Sequence, residues 1–323
     1  MDKKFIVSAS PHVFDRLDTP NMMYGVSIGL LPAAIASVVL FGWKAVILIV
    51  ACASACVLTE ALFQKLRGKK IAVADGSAIL TGILLAMVIP PDLPVWMAIV
   101  ASAFAIGIGK EIFGGLGCNI FNPALLGRAF LSAAFPANMT VYSAPFSKAA
   151  FSSAVNVDAV TCATPLGLMK FEGVATNLAS LFMGNVAGSV GETSAICLLL
   201  GGIYIIVRRY ADWRIPLGFI LTVFIFGQIL HAAAPDKYPS GLFHLLAGGM
   251  MIGALFMATD PVTSPVTKLG KWVFGVGCGM LVIIIRLWGG QPEGVMYSIL
   301  IMNGFTPVIN ILTRPRRYGD VSP

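Results

Sequence analysis

Two stretches decide the fold: Gly82–Val95, GILLAMVIPPDLPV, and Gly253–Val266, GALFMATDPVTSPV. Both carry Gly-x7-Pro-x3-Pro-Val, and the second begins 171 residues after the first. A further signature recurs downstream as Asn119-x-Phe121-x-Pro123 and Asn303-x-Phe305-x-Pro307, 184 residues apart. Proline removes a backbone donor and breaks a helix interior. In lipid such a break survives only where neighbours or a cavity satisfy the freed backbone groups. Proline and glycine are common in membrane helices, but two spacings matching in corresponding spans favour an internal repeat. Paired breaks of this kind mark a site near the bilayer midplane.

The surrounding composition supports a lipid solvent. Of 323 residues 57% are hydrophobic and 11% charged, against about 25% charged in soluble domains; mean hydropathy is +0.86. Disorder, a disulfide scaffold and a nucleic-acid-binding domain are excluded. The apolar runs are Met22–Phe41, Ala45–Phe63, Ser77–Ile89, Val95–Gly109, Phe113–Phe135, Thr193–Val207, Ile215–Ala234, Leu242–Thr259, Trp272–Trp288 and Gly294–Leu312. The expected fold is therefore an all-α polytopic membrane protein of about ten transmembrane helices. Five spans per half is an odd number, so the second half is inverted relative to the first. The divisions are a cytoplasmic N-terminal segment 1–21, a first five-helix repeat 22–135, an external loop 136–192, a second five-helix repeat 193–312 and a cytoplasmic tail 313–323. The first 21 residues are polar and the first apolar run is too long for a cleavable signal peptide.

Charge sets the expected orientation. With both termini inside, sixteen of 22 basic residues fall on the cytoplasmic side, as the positive-inside rule requires. That puts the 136–192 loop outside. The loop contains Asp158-Ala-Val-Thr161-Cys162-Ala163-Thr164-Pro165, which resembles the recognition sequence of flavin transferases. In that chemistry the last threonine is esterified to the phosphate of FMN. Small residues at Cys162 and Ala163 leave Thr164 accessible, and Pro165 keeps it out of a helix.

Taken together these motifs identify a family. The chain resembles the D subunit of the Rnf complex, an ion-translocating ferredoxin:NAD oxidoreductase, and more distantly the B subunit of the sodium-translocating NADH:quinone reductase. The resemblance runs through Ser10-Pro11-His12, Asp75-Gly76-Ser77, Thr81-Gly82, Gly114-Gly115-Leu116-Gly117, Asn122-Pro123-Ala124-Leu125, the threonine motif, Ala258–Pro265 and Asn303–Pro307. Thr161-Cys162 stands where the family more often has Ser-Gly, and the long N-terminal extension of the quinone-reductase relative is missing. The resemblance implies a urea-transporter-like scaffold in a bacterial inner membrane, FMN on Thr164 and room for a second, non-covalent flavin such as riboflavin. It also implies the other Rnf subunits and an external flavin transferase as partners, and electron transport between ferredoxin and NAD coupled to Na+ or H+ translocation. This chain would then be one subunit of a translocase, without a complete active site. From the repeat alone, a small-solute channel or transporter is the alternative.

Several residues remain as site candidates. Asp260 lies in the second break, where it could bind a cation or flavin or form an Asp-Pro turn. The pairs Asn119/Asn303 and Asn122/Thr306 could cap helices or line a shared cavity. Arg128, inside an apolar run, must face protein, water or a phosphate; near Thr164 it could neutralise the FMN phosphate, and the alternative is an ion pair with a neighbouring helix or subunit. Glu60 is read as a carboxylate reaching water from a helix end. The six cysteines show no metal-ligand pattern.

Overall fold

The computed structural model describes residues 18–69, 72–146, 161–192, 194–235 and 237–315. Asp158, Ser10-Pro11-His12, most of the 1–21 segment and most of the 313–323 tail lie outside the described residues. In the first half, α1 (Thr19–Phe41) and α2 (Trp43–Leu66) are followed by α3 (Ser77–Met87), α4 (Val95–Ile106), α5 (Pro123–Ala134) and α6 (Pro136–Met139). A two-residue ladder follows, β1 (Tyr142–Ser143) against β2 (Thr161–Cys162), antiparallel, with Tyr142 opposite Cys162. The chain continues through α7 (Pro165–Gly167) and α8 (Leu178–Met183). The second half holds α9 (Ala195–Val207), α10 (Arg214–Ala233), α11 (Gly241–Leu246), α12 (Met250–Ile252), α13 (Lys268–Trp288) and α14 (Val295–Leu312).

Among the described residues five helices are long and apolar enough to cross a bilayer, α1, α2, α10, α13 and α14; α3 and α9 are shorter apolar helices. Their outward faces are aliphatic: Ile28, Leu31, Ile35 and Val39 line one exposed side of α1. Such continuous exposed rows suit lipid rather than water. Helices therefore meet through small residues, which let backbones approach. At the crossing of α1 and α9, a Cβ on Gly201 would stand 1.9 Å from the Gly29 carbonyl oxygen, so the contact requires glycine. In the first half α2 packs on α3 and α4, and α4 on α5; in the second, α10 packs on α11 and α13, and α13 on α14.

The breaks depart from the uninterrupted runs expected. The run Phe113–Phe135 becomes helical only at Pro123. Before it, Gly114, Gly115 and Gly117 take φ of +132°, +105° and +93°, which side chains with a Cβ rarely adopt. The run Leu242–Thr259 is divided into α11, α12 and a wide turn, Gly253–Met257, in which the Ala258 N–H donates to the Gly253 carbonyl at 2.8 Å. Wide turns of this i→i+5 type concentrate at functional sites. The two Asn-x-Phe-x-Pro signatures also differ locally: Asn119–Pro123 leads into a helix start, whereas Asn303–Pro307 lies inside α14. Glu60 does not reach water. It is 1% exposed and accepts from Lys110 Nζ at 2.7 Å, while Nζ also donates to Ser77 Oγ at 2.6 Å. The wide turn closing α4 at Gly107–Glu111 turns the Lys110 ammonium inward, and it needs a buried counter-charge.

Candidate functional site

Thr164 lies in extended backbone two residues past the ladder strand β2 and caps α7. Its Oγ1 accepts from the Gly167 N–H at 3.2 Å, and Pro165 fills the first helical position, where a missing donor costs nothing. Leu166 is buried against Leu181, Phe243 and Ala247. The helix runs on as a wide turn, Leu168–Glu172, closed by Gly173 at φ +70°. Pro165 thus does not keep Thr164 clear of helix altogether. It leaves the threonine at the boundary, with extended backbone and a half-buried side chain.

The threonine borders a cleft of about 290 Å³ whose walls include Ala163, Tyr142, Phe171, Met296 and Tyr297. Arg128 forms the polar wall, on the inner face of α5 and 5% exposed. Nη1 donates to Glu192 Oε1 at 3.0 Å and Nη2 to Glu293 Oε2 at 2.5 Å. Glu293 Oε1 also accepts from the Gly249 N–H at 2.9 Å. One guanidinium thus serves two carboxylates, and their proton affinities diverge. Burial, followed by repulsion from Glu293, pushes Glu192 up to about 8. Burial acts in the same direction on Glu293, but Arg128 and the Gly249 N–H outweigh it and hold that group below the usual carboxylate range.

A second, smaller cavity of about 60 Å³ opens at the other end of α5. It gathers Asn119, Asn122 and Asp260 with Ser77, Thr81 and Lys110. Asn122 caps α5, its Oδ1 accepting from Ala124 N at 3.0 Å and Leu125 N at 3.3 Å, while Nδ2 donates to the Met257 carbonyl at 3.2 Å. Asp260 closes a turn, accepting from Val262 N and from Thr263 Oγ1 at 3.0 Å. Asn119 caps nothing: Nδ2 donates to the Phe121 carbonyl at 3.3 Å, and buried Oδ1 has no protein partner.

Arg128, Ala163 and Thr164 are therefore brought together, as are Asn119, Asn122 and Asp260. Thr161 contributes backbone to β2. Asn303 stands apart. It is 1% exposed inside α14, lines neither cavity, and neither amide atom has a protein partner. Thr306, one turn on, donates to the Thr263 carbonyl at 2.9 Å and ties α14 to the second break. Glu192, Glu293 and Lys170 were not singled out from the sequence. The signal was Arg128 itself: a cation in an apolar run demands acids, and Glu192 and Glu293 flank the second-half spans.

This fold and site define a class: a multi-pass helical membrane protein with an ion-paired cleft beside a threonine-bearing segment. More particularly, the chain belongs to the NQR2, RnfD, RnfE family, whose model matches residues 6–319. It is similar to the D subunit of the proton-translocating ferredoxin:NAD(+) oxidoreductase complex of Clostridium ljungdahlii, 44% identical over 98% of this chain and 96% of the relative. The D subunit of the Na(+)-translocating ferredoxin:NAD(+) oxidoreductase complex of Acetobacterium woodii is 44% identical over 97% of this chain and 95% of its own length. The D subunit of the ion-translocating oxidoreductase complex of Stutzerimonas stutzeri is 40% identical over 94% and 93%.

Proposed function

We propose that this chain is the membrane-embedded D subunit of an ion-translocating ferredoxin:NAD oxidoreductase complex, carrying FMN as a phosphoester on Thr164. The observation that carries the proposal is the position of that threonine. The last residue of the Thr161-x-Ala163-Thr164 motif borders a cleft walled by a buried arginine. The residues suit the group. Thr164 is half-buried, and among the described residues its hydroxyl is held by one long hydrogen bond; Tyr142, Phe171 and Tyr297 supply flat apolar surface. Arg128 is a cation on the same cleft; already paired with Glu192 and Glu293, it answers a phosphodiester charge by giving up one of those carboxylates. A bound flavin supplies one- and two-electron chemistry. The protein's own part is to hold the attachment point, exclude water with apolar walls and balance charge through Arg128, Glu192 and Glu293. The relatives reported above are named for redox-linked ion transport, not solute passage.

The same reading places both termini in the cytoplasm and the Thr164 segment outside, where an exported flavin transferase reaches it. It arranges ten spans as a 5+5 inverted repeat. The matching packing orders of the two halves support that arrangement, as does the glycine crossing of α1 on α9, whose Gly29 and Gly201 stand 172 residues apart. A second flavin at the Asn119, Asn122 and Asp260 cavity requires that cavity to widen, because about 60 Å³ is roughly the share of two waters. The coupling ion does not follow from similarity: one 44% relative is named for protons and another for Na+. Intact mass of the purified subunit, with fragmentation, tests the proposal. FMN added at Thr164 and absent in Thr164→Ala is expected; an unmodified threonine in the working complex overturns it.

A further inference from the structure

We propose that Lys170 is a positioning residue: it clamps the threonine-bearing segment to the C-terminal end of α13 and so fixes Thr164 over the cleft. An ammonium has three donors and no acceptor. Here Nζ faces three backbone carbonyls, Arg286 at 2.9 Å, Gly289 at 2.5 Å and Gln291 at 2.9 Å. These lie in the last turn of α13 and just beyond it, where helix carbonyls lack intrahelical donors and the helix end is negative. A lysine that merely snorkels extends its head group toward water; this one turns inward onto backbone more than a hundred residues away.

The clamp reaches Thr164 through a short continuous structure. Leu168 N donates to the Thr164 carbonyl at 2.9 Å, Gly167 N to Thr164 Oγ1, and Val174 N to the Leu168 carbonyl at 3.3 Å. Fixing Lys170 therefore fixes the backbone of residue 164. Leu166 also anchors the segment, but an apolar contact is non-directional, whereas three charge-assisted hydrogen bonds set orientation. The connection from α13 to α14 that receives Lys170 also carries Glu293, which holds Arg128. Clamp and ionic wall thus share one stretch of backbone.

The consequence for flavin rests on the attachment reading above; the clamp itself is measured without flavin. In whole complex bearing Thr164→Ala, which removes the Gly167 N–H acceptor, hydrogen exchange of amides 168–172 is compared with and without Lys170→Met. Loss of the ammonium is expected to accelerate exchange at least about tenfold. Methylammonium, which presents the same donors, should slow it again; tetramethylammonium, which has none, should not. Unchanged exchange in Lys170→Met, or equal effects of the two cations, overturns the clamp. In complex with Thr164 intact, Lys170→Met should retain the added mass yet lower the fluorescence anisotropy of the attached flavin, and an unchanged anisotropy overturns the positioning role. If the parent carries no added mass, the attachment reading fails while the exchange result still decides the clamp.

Discussion

The two cavities at opposite ends of α5 are built from different chemistry. The cleft at Thr164 is ionic, and its central cation is shared by two carboxylates 64 and 165 residues away in sequence. The smaller cavity has Lys110 paired with Glu60 at its edge, but its remaining polar lining is largely amide and hydroxyl, with the Asn119 oxygen left without a protein partner. A paired, buried ion network is rigid and costly to disturb on one side only. Apart from Lys110 and Asp260, whose carboxylate is held in its own turn by Val262 N and Thr263 Oγ1, the lining of the smaller cavity is neutral and cheaper to alter.

The largest expected effect breaks the ionic side. Arg128→Ala strands two carboxylates and should destabilise the protein by about 3–5 kcal/mol, read as thermal unfolding of the detergent-solubilised complex. Adding Glu192→Gln and Glu293→Gln should recover most of that loss. Failure of the triple variant to recover would mean that the arginine acts through packing. On the amide side, Asn122→Ala removes a cap serving two N–H groups and a bond to Met257, and should cost about 1–2 kcal/mol.

A smaller effect separates the two carboxylates. Glu192 has a folded pKa above its unfolded value, so its contribution to stability is fully present below about 4.5 and is lost as pH rises toward about 8. Glutamine imitates the protonated acid. Glu192→Gln should therefore gain in melting temperature relative to wild type between pH 5 and pH 8, whereas the loss in Glu293→Gln should be constant over that range and shrink only as pH falls below about 4.5. A difference for Glu192→Gln that does not change with pH breaks the distinction. The smallest effect is at Asn303. With both amide atoms already without protein partners, Asn303→Leu should be neutral or slightly stabilising, and a large loss would point to a bound water or ion there.

Legibility in the sequence followed the range of the interaction. The lipid-facing character, the helix breaks at the glycine-proline signatures and the Thr164 motif depend on composition and on neighbours within a few residues, and each was readable. Asn122 as a cap was readable too, because Asn-Pro before an apolar run is a local start signal. The burial of Glu60 is not legible, because its distance from a helix end says nothing of the wide turn that turns Lys110 toward it. Asn119 and Asn303 share a spacing but not a setting, because one precedes a helix and the other sits within one.

By itself the chain's order of residues determined its solvent, its largely helical make-up, the breaks at the two glycine-proline signatures and the hydroxyl on which its chemistry is proposed to turn. Only the tertiary structure decided that Arg128 meets Glu192 and Glu293, that Lys170 spends its three donors on the end of α13, and that Asn303 faces no partner. Periodicity and turn chemistry act over a few residues, whereas an ion pair or clamp between distant segments depends on how whole helices pack.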